Sequence, residues 1–561
     1  MTWPFLSGHI ASARGVQGAH SEAIDRLFVD YDKAGSPGLN LAVFQGDEII
    51  HRRGYGVASI EHDIPFSEHT VLRLGSTTKH MCATALLCLE NDGTLRLDDD
   101  VRRFAPELPD YGGTLTLRML ANMTSGLPDG FNVALFCGLD THSPLSRQQI
   151  FTMQRRLQTS MFAPGTRWSY SNTNYNILSL VIERASGKTL EEFMRERLFA
   201  PLGMHDTRLT SWETEVIPHK ATGYSRSTDG FQIARMAVET CGDGGVDSTI
   251  ADMATWYRNY RSGALFDPDY RARIEGDATL TNGERTGYGL GVVASVYRGR
   301  ARVGHSGGMP GFLCDFAYYP DDDFGVILFA NVLDRPLLQA ADRVADIIVF
   351  KENARPLSFG PLPGTARSGD APEGVYADAS SGEVVELRSQ DDKLLLYRFG
   401  EGVPLLHGED NRFALAKKDA ATAQSISFRS AEHCTLRLLG RTPISLHKVA
   451  VENVAPDVAD ALAGCYHSSE LGEYFHVLRD ADGAYVQGAN TCRPLLWRRL
   501  KQVAPDLFVC LVDGEPSVTN VVVRVERENG RVQACLFSLN RVFNLRFDRI
   551  EYAPPAPETS R

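Results

Sequence analysis

The order of apolar and polar positions divides the chain into two regions of different character. Up to about Glu352, strand and helix patterns are mixed. Leu39-Asn40-Leu41-Ala42-Val43-Phe44, the turn Gln45-Gly46-Asp47 and Glu48-Ile49-Ile50-His51-Arg52 predict a β-hairpin. Met81, Ala85, Leu86 and Leu89 recur at helical spacing, and Asn91-Asp92-Gly93 supplies a stop. Residues 175–185 and 190–199 predict amphipathic helices broken at Ser186-Gly187. Residues 315–320 and 324–330 predict strands flanking the acidic turn Asp321-Asp322-Asp323, and residues 337–350 a closing helix. Strands, then many helices, then strands and a final helix describe an α+β domain, an antiparallel sheet with a helical layer.

Residues 355–372 are rich in Pro, Gly and Ser and predict a linker. Beyond them the pattern turns to short alternating strands. Gly374-Val375-Tyr376 is followed by Gly382-Glu383, and Gly464-Cys465-Tyr466 by Gly472-Glu473, with one internal spacing. Each phrase then enters an alternating run. The repeat predicts two similar all-β modules, read as small antiparallel barrels that meet near Val454-Ala455-Pro456. The expected division is 1–354, linker 355–372, a lipocalin-like barrel over 373–455 and a second over 456–561.

Composition narrows the function classes. Hydrophobic residues make up 43% of the 561 and charged residues 23%, ordinary for a globular enzyme. The net charge is −12 with no basic tract, which argues against nucleic acid and anionic membranes as partners. The ten cysteines form no C-x-x-C pair, so neither a disulfide framework nor a zinc knuckle is indicated. The fifteen histidines are dispersed without an H-E-x-x-H, so no metal and no cofactor is expected. Residues 1–9 lack a basic start and an apolar core, and no apolar stretch is long enough to span a bilayer. The expectation is a cytoplasmic protein acting on a small peptide or amide, with a homodimer as an open possibility.

The chemistry concentrates at Gly75-Ser76-Thr77-Thr78-Lys79. A spacing of three puts Ser76 and Lys79 on one helix face. A serine hydroxyl is a poor nucleophile until a base takes its proton, and a lysine can be that base if burial or a cation lowers its pKa. The bland alternative is a solvated Lys79 and a Ser76 that caps backbone amides. A second Ser-x-x-Lys, Ser445 to Lys448, lies in an alternating run, where positions three apart point to opposite faces. Tyr170-Ser171-Asn172 follows the Pro164-Gly165 turn and precedes a helix; Tyr170 could pass protons and Asn172 bridge Lys79 to a substrate carbonyl. Tyr257-Arg258-Asn259 repeats the phrase inside a helical pattern and reads as packing and solvent face. Gly304-His305-Ser306-Gly307-Gly308 offers His305 to orient or protonate, and glycines that let a backbone approach. It also fits the Gly-x-Ser-x-Gly nucleophile elbow on Ser306, which requires a helix that Met309-Pro310-Gly311 argues against.

Ser-x-x-Lys, Tyr-x-Asn and His-x-Gly, in that order, resemble the motif series of the serine β-lactamase and penicillin-recognising hydrolase family. The phrase Phe162-Ala163-Pro164-Gly165-Thr166-Arg167-Trp168-Ser169-Tyr170-Ser171-Asn172 and the Ser125-Gly126-Leu127 triplet strengthen the resemblance. It implies Ser76 as nucleophile and Lys79 and Tyr170 sharing base and acid duties. Asn172 and His305 support them, and the amides of Ser76 and Gly308 form an oxyanion hole. The third motif, His305-Ser306-Gly307, departs from the Lys-Thr-Gly of the class C branch and resembles the esterase and D-aminopeptidase branches. Two appended β modules, Cys137-Gly138-Leu139-Asp140 and the Gly242-Asp243-Gly244-Gly245 turn are similar to the D-aminopeptidase branch as well. That branch implies two eight-stranded barrels and a loop of the last one entering the site. The corresponding turn, residues 512–517, offers Asp513 or Glu515 to an ammonium; a solvated hairpin turn is the other reading. The implied activity is amide hydrolysis in small peptides or amides next to a D-residue, through an acyl-enzyme. Esterase or endo-acting hydrolysis of linear non-ribosomal peptides, and a slowly deacylating penicillin-binding protein, stand as alternatives.

Overall fold

The computed structural model describes residues 18–139, 142–158, 160–353, 357, 365–367, 369–408, 412–415, 424–488, 498–510 and 521–551. The hairpin predicted at the start is present as Leu39–Gln45 and Glu48–Tyr55. It joins an antiparallel sheet of six strands whose spatial order is Val293–Tyr297, Arg300–Met309, Phe312–Tyr319, Phe324–Ala330, Leu39–Gln45 and Glu48–Tyr55. The earliest strand is thus zipped to the latest, in a register from Leu39↔Ala330 to Gln45↔Phe324.

Helices cover both faces of this sheet, where one helical layer was expected. Leu39, Leu41 and Val43 pack with Ile24, Leu27, Val344 and Ile348 from the helices Ser21–Leu27 and Ala340–Ile348. Ala42 and Phe44 face the larger layer, which contains Thr78–Asn91, Asn172–Ser186 and Ile250–Ser262. Burial on both sides explains why this strand reads as an apolar run rather than an alternation. The closing helix is shorter than the predicted 337–350, because Pro336 opens it as a 3-10 turn, Arg335–Gln339. The break at Ser186-Gly187 is real, with Gly187 in the left-handed region at φ 71°. The following helix, Leu190–Met194, starts on a Thr189/Glu192 capping box and widens into a π turn, Arg195–Phe199.

Two closed antiparallel barrels follow. The first runs in chain order through eight strands, from Gly374–Asp378 to Ile444–Val449, and closes with Val375 opposite Val449. The second runs from Gly464–Ser468 to Val542–Ile550 and closes with Cys465 opposite Ile550. Glu452–Asn453 adds to its Arg498–Ala504 strand from outside. The repeat is structural. Tyr376 and Tyr466 are both fully buried. The amides of Gly382 and Gly472 donate to the carbonyls of Asp378 and Ser468 at 2.9 and 2.8 Å. A helix, Pro456–Leu462, separates the modules where few helix signals were expected; Pro456 occupies its first turn. Within the Pro/Gly/Ser-rich stretch, Ala366 and Ala371 are packed into the first barrel's core.

The outer faces of the barrels pack together through Val375, Ala377 and Val384 against Val503, Leu507, Val509 and Val522. The second barrel is also joined to the N-terminal domain. Val133 and Phe136, on the helix Gly130–Phe136, share a core with Phe475, Phe537 and Phe547. The Phe136 and Phe537 rings lie 5.2 Å apart.

Candidate active site

Gly75–Thr77 forms a 3-10 turn that feeds the helix Thr78–Asn91. The turn aims Ser76 and Lys79 at each other, and Lys79 Nζ lies 3.0 Å from Ser76 Oγ. Nζ also donates to the Asp243 carbonyl at 2.6 Å. Lys79 is fully buried. Burial pushes its amine down from 10.5 to about 8; Asp243 opposes the shift and Arg541 adds to it. A lysine at about 8 is roughly one-tenth neutral at pH 7, against less than about one in a thousand for an ordinary lysine. The neutral amine can accept the serine proton across this distance.

The third motif meets this turn backbone to backbone. It lies on the strand Arg300–Met309, and Thr77 Oγ1 donates to the His305 carbonyl at 3.1 Å. A Cβ at Gly307 would sit 1.8 Å from the Leu74 carbonyl oxygen and 3.0 Å from the Ser76 amide nitrogen. A Cβ at Gly75, whose φ is +54°, would lie 3.1 Å from the Gly308 amide nitrogen. Only glycine allows this approach, which brings the amides of Ser76 and Gly308 to one junction. Ser306 is mid-strand, opposite Asp315, so no elbow exists there.

Tyr170 stands beside the pair, with Lys79 Nζ 5.0 Å from its ring centre. Its segment is cradled by the Ser125-Gly126-Leu127 region. The Met123 carbonyl accepts from the Ser169 amide at 3.0 Å, and Ser125 Oγ donates to Asn174 Oδ1 at 2.7 Å. Met123 holds a left-handed φ of 64°, rare for its residue type. Asn172 opens the helix Asn172–Ser186, and its amide donates to Asp129 Oδ2 at 2.7 Å. Asp129, fully buried, also caps the helix Gly130–Phe136 through the Asn132 amide at 3.0 Å.

His305 is 4% exposed, and burial, with Lys79 nearby, pushes it down to about 3. It is therefore neutral near pH 7. Nδ1 lies 2.6 Å from the Ser306 carbonyl and must donate to it, which leaves Nε2 to accept from Tyr288 Oη at 3.0 Å. Of the two roles considered for it, this geometry supports orientation. Tyr288 stands edge-on to both Tyr170 and His305 and joins Trp168 in an aromatic wall.

Sequence reasoning missed Tyr288, the Asp243 carbonyl, Asp129 and Arg541. Tyr288 had a signal in Gly287-Tyr288-Gly289-Leu290-Gly291: a Cβ at Gly291 would meet the Lys79 carbonyl carbon at 2.7 Å. Arg541 lies between the last two strands of the second barrel, Arg531–Leu539 and Val542–Ile550. Its guanidinium carbon is 4.6 Å from the Tyr170 ring centre, and its carbonyl accepts from the Asp129 amide at 3.2 Å. The last barrel thus does reach the site. Asp513 and Glu515, with the turn 512–517, and Asp140 lie outside the described residues.

The other candidates resolve as follows. Ser445 and Lys448 lie exposed on the strand Ile444–Val449. Tyr257 and Asn259 are buried in Ile250–Ser262; the Asn259 side chain accepts from the Leu265 amide instead of facing solvent. Among the described residues, no cluster of three His, Cys, Asp or Glu side chains is arranged to hold a metal, and nine cysteines are free thiols. No described helix is long and apolar enough to cross a membrane.

Comparison with known proteins places the fold and the family. The Beta-lactamase family profile matches residues 24–349. A D-aminopeptidase of Cereibacter sphaeroides is 28% identical over 511 residues, 88% of this chain and 92% of that protein. The crystal structure of D-amino acid amidase from Ochrobactrum anthropi SV3, complexed with L-phenylalanine amide, superposes with a TM-score of 0.52 at 26% identity. It covers 59% of this chain and 98% of its own. The octameric penicillin-binding protein homologue from Pyrococcus abyssi shares the fold over 94% of this chain and 99% of its own, with a TM-score of 0.55 at 19% identity. With its serine and buried lysine in contact at the head of the helix and the family match spanning that whole domain, the chain belongs to the Beta-lactamase family.

Proposed function

We propose that the protein is a serine hydrolase that cleaves amide bonds of small peptides or amino-acid amides next to a D-residue, through an acyl-enzyme on Ser76. The observation that carries this is the 3.0 Å contact between Ser76 Oγ and a fully buried Lys79. Lys79 takes the hydroxyl proton as Oγ attacks the carbonyl carbon. The amides of Ser76 and Gly308 receive the oxyanion, and Asn172 holds the substrate carbonyl side. Tyr170, with Lys79, returns the proton to the departing amine. Water then attacks the ester, the same groups take its proton, and the acid leaves as Ser76 recovers its hydrogen. His305 fixes Tyr288 and, through it, the wall beside Tyr170. The names of the D-aminopeptidase and D-amino acid amidase relatives support the D-selective reading.

Intact mass spectrometry with a slow acyl donor, followed by peptide mapping, tests this directly. The adduct is expected on Ser76. Ser76→Ala should lose the label and at least about 10³-fold in turnover, while Ser306→Ala should keep both. A label on another residue refutes the assignment. A product burst without steady turnover would favour a penicillin-binding protein that deacylates slowly.

Endo-acting hydrolysis is a second reading, favoured by one observation: Arg541 puts a positive charge over Tyr170. A free α-ammonium bound there meets repulsion, whereas a blocked amine does not. N-acylated D-residue amides should therefore outperform their free-amine counterparts in kcat/KM. Arg541→Ala should shift that ratio about tenfold toward the free amines, close to 1.4 kcal/mol. An unchanged ratio would remove Arg541 from specificity.

A further inference from the structure

A cavity of about 110 Å³ opens where the N-terminal domain and both barrels meet. In this measure a single water needs about 10–15 Å³, so the space admits several waters or a small anion. Four guanidinium groups line it: Arg167 from the segment leading to Tyr170, Arg398 and Arg441 from the first barrel, and Arg524 from the second. Glu383 lines it too, 3% exposed, and pairs with Arg398 and with Arg441 at 2.6 Å. Four cations against this carboxylate leave a formal excess of three positive charges.

Among the described lining residues, Glu383 is the one carboxylate set against this charge. Arg524 Nε is buried and finds no hydrogen-bond partner among the described residues. Arg167 is held below the usual arginine value by burial first, then by Arg441 and Arg398, with Glu383 opposing. Burial alone would raise Glu383, and its two arginines more than offset that. Charge crowded this way in a partly dry site is costly unless an anion joins it. The rest of the lining mixes apolar and aromatic side chains with the polar Ser381, Gln424, Ser538 and Asn544. Phe162, Trp168 and Leu438 contribute, and the Arg398 guanidinium lies over the rings of Phe399 and Phe543 at 4.4 and 5.5 Å.

We propose that this three-way junction is a binding site, separate from Ser76, for a small oxyanion, a carboxylate or phosphate whose body rests on the aromatic lining. Binding there bridges all three domains. It also bears on the active site, because Arg167 and Trp168 stand three and two residues before Tyr170, and Trp168 packs 5.8 Å from Tyr288.

Thermal unfolding of the full chain tests this, with inorganic phosphate and, separately, benzoate titrated at constant ionic strength against sodium chloride. A saturable rise in Tm with either anion, absent with chloride, is expected. A response to phosphate alone assigns a phosphate group; a larger response to benzoate assigns a carboxylate on an apolar body. Arg524→Gln should lose the anion-dependent rise, at least tenfold in apparent affinity. Its Tm without anion should stay at or above that of the wild type, since an uncompensated charge is gone. Arg524→Lys should keep part of the response. No rise with either anion, or an equal rise in wild type and Arg524→Gln, overturns the proposal.

Discussion

An ordinary lysine is charged at neutral pH and holds its proton too firmly to activate a serine. Lys79 escapes this through burial, which brings it to about 8, with Arg541 pushing the same way. If the neutral amine is the working form, kcat/KM on an uncharged ester should rise with pH through a limb near 8. Arg541→Ala removes a cation that disfavours charged lysine. Its loss raises the Lys79 pKa, so the limb should move to higher pH and activity at pH 7 should fall. A limb that stays in place would detach Arg541 from the base. At this scale the sequence was informative where geometry is local. The 3-10 turn Gly75–Thr77 and the helix that follows it set Ser76 and Lys79 three positions apart on one face, a spacing the sequence shows directly. Arg541 was illegible because a turn residue carries no mark of what its barrel docks against.

One carboxylate joins two elements. Asp129 caps the helix Gly130–Phe136 and anchors the first amide of Asn172–Ser186, the helix that follows Tyr170. Asp129→Ala leaves both helix starts without that acceptor. A stability loss of about 1–3 kcal/mol is expected from denaturant titration. Because Tyr170 would shift too, kcat should fall more than KM rises; a loss of stability with intact kcat would limit Asp129 to a structural part. The hairpin and the main helices were readable because their apolar periods are long. The second helical layer was not. The period of a strand buried on both sides shows that it is covered, not by what. The π turn at Arg195–Phe199 leaves no trace in the apolar pattern at all.

At the scale of the molecule, the two β modules were visible as a Gly-x-Tyr…Gly-Glu repeat, since each needs the same turn glycine and the same inward tyrosine. Their docking was invisible, because Phe136 looks like any core aromatic of its own domain. In the structure it belongs to the second barrel's core. Phe136→Ala should cost about 3–5 kcal/mol. Its effect should appear on the barrel as well as on the N-terminal domain, read by hydrogen exchange at the Val542–Ile550 strand. Protection unchanged there would mean the two cores are energetically independent.

The helix Gly130–Phe136 thus belongs to one domain by chain order and to another by packing. Melting either unit strips the other of apolar cover. In a calorimeter the two should give a single heat-absorption peak, and a protease that nicks the last barrel should silence amide hydrolysis with the same time course.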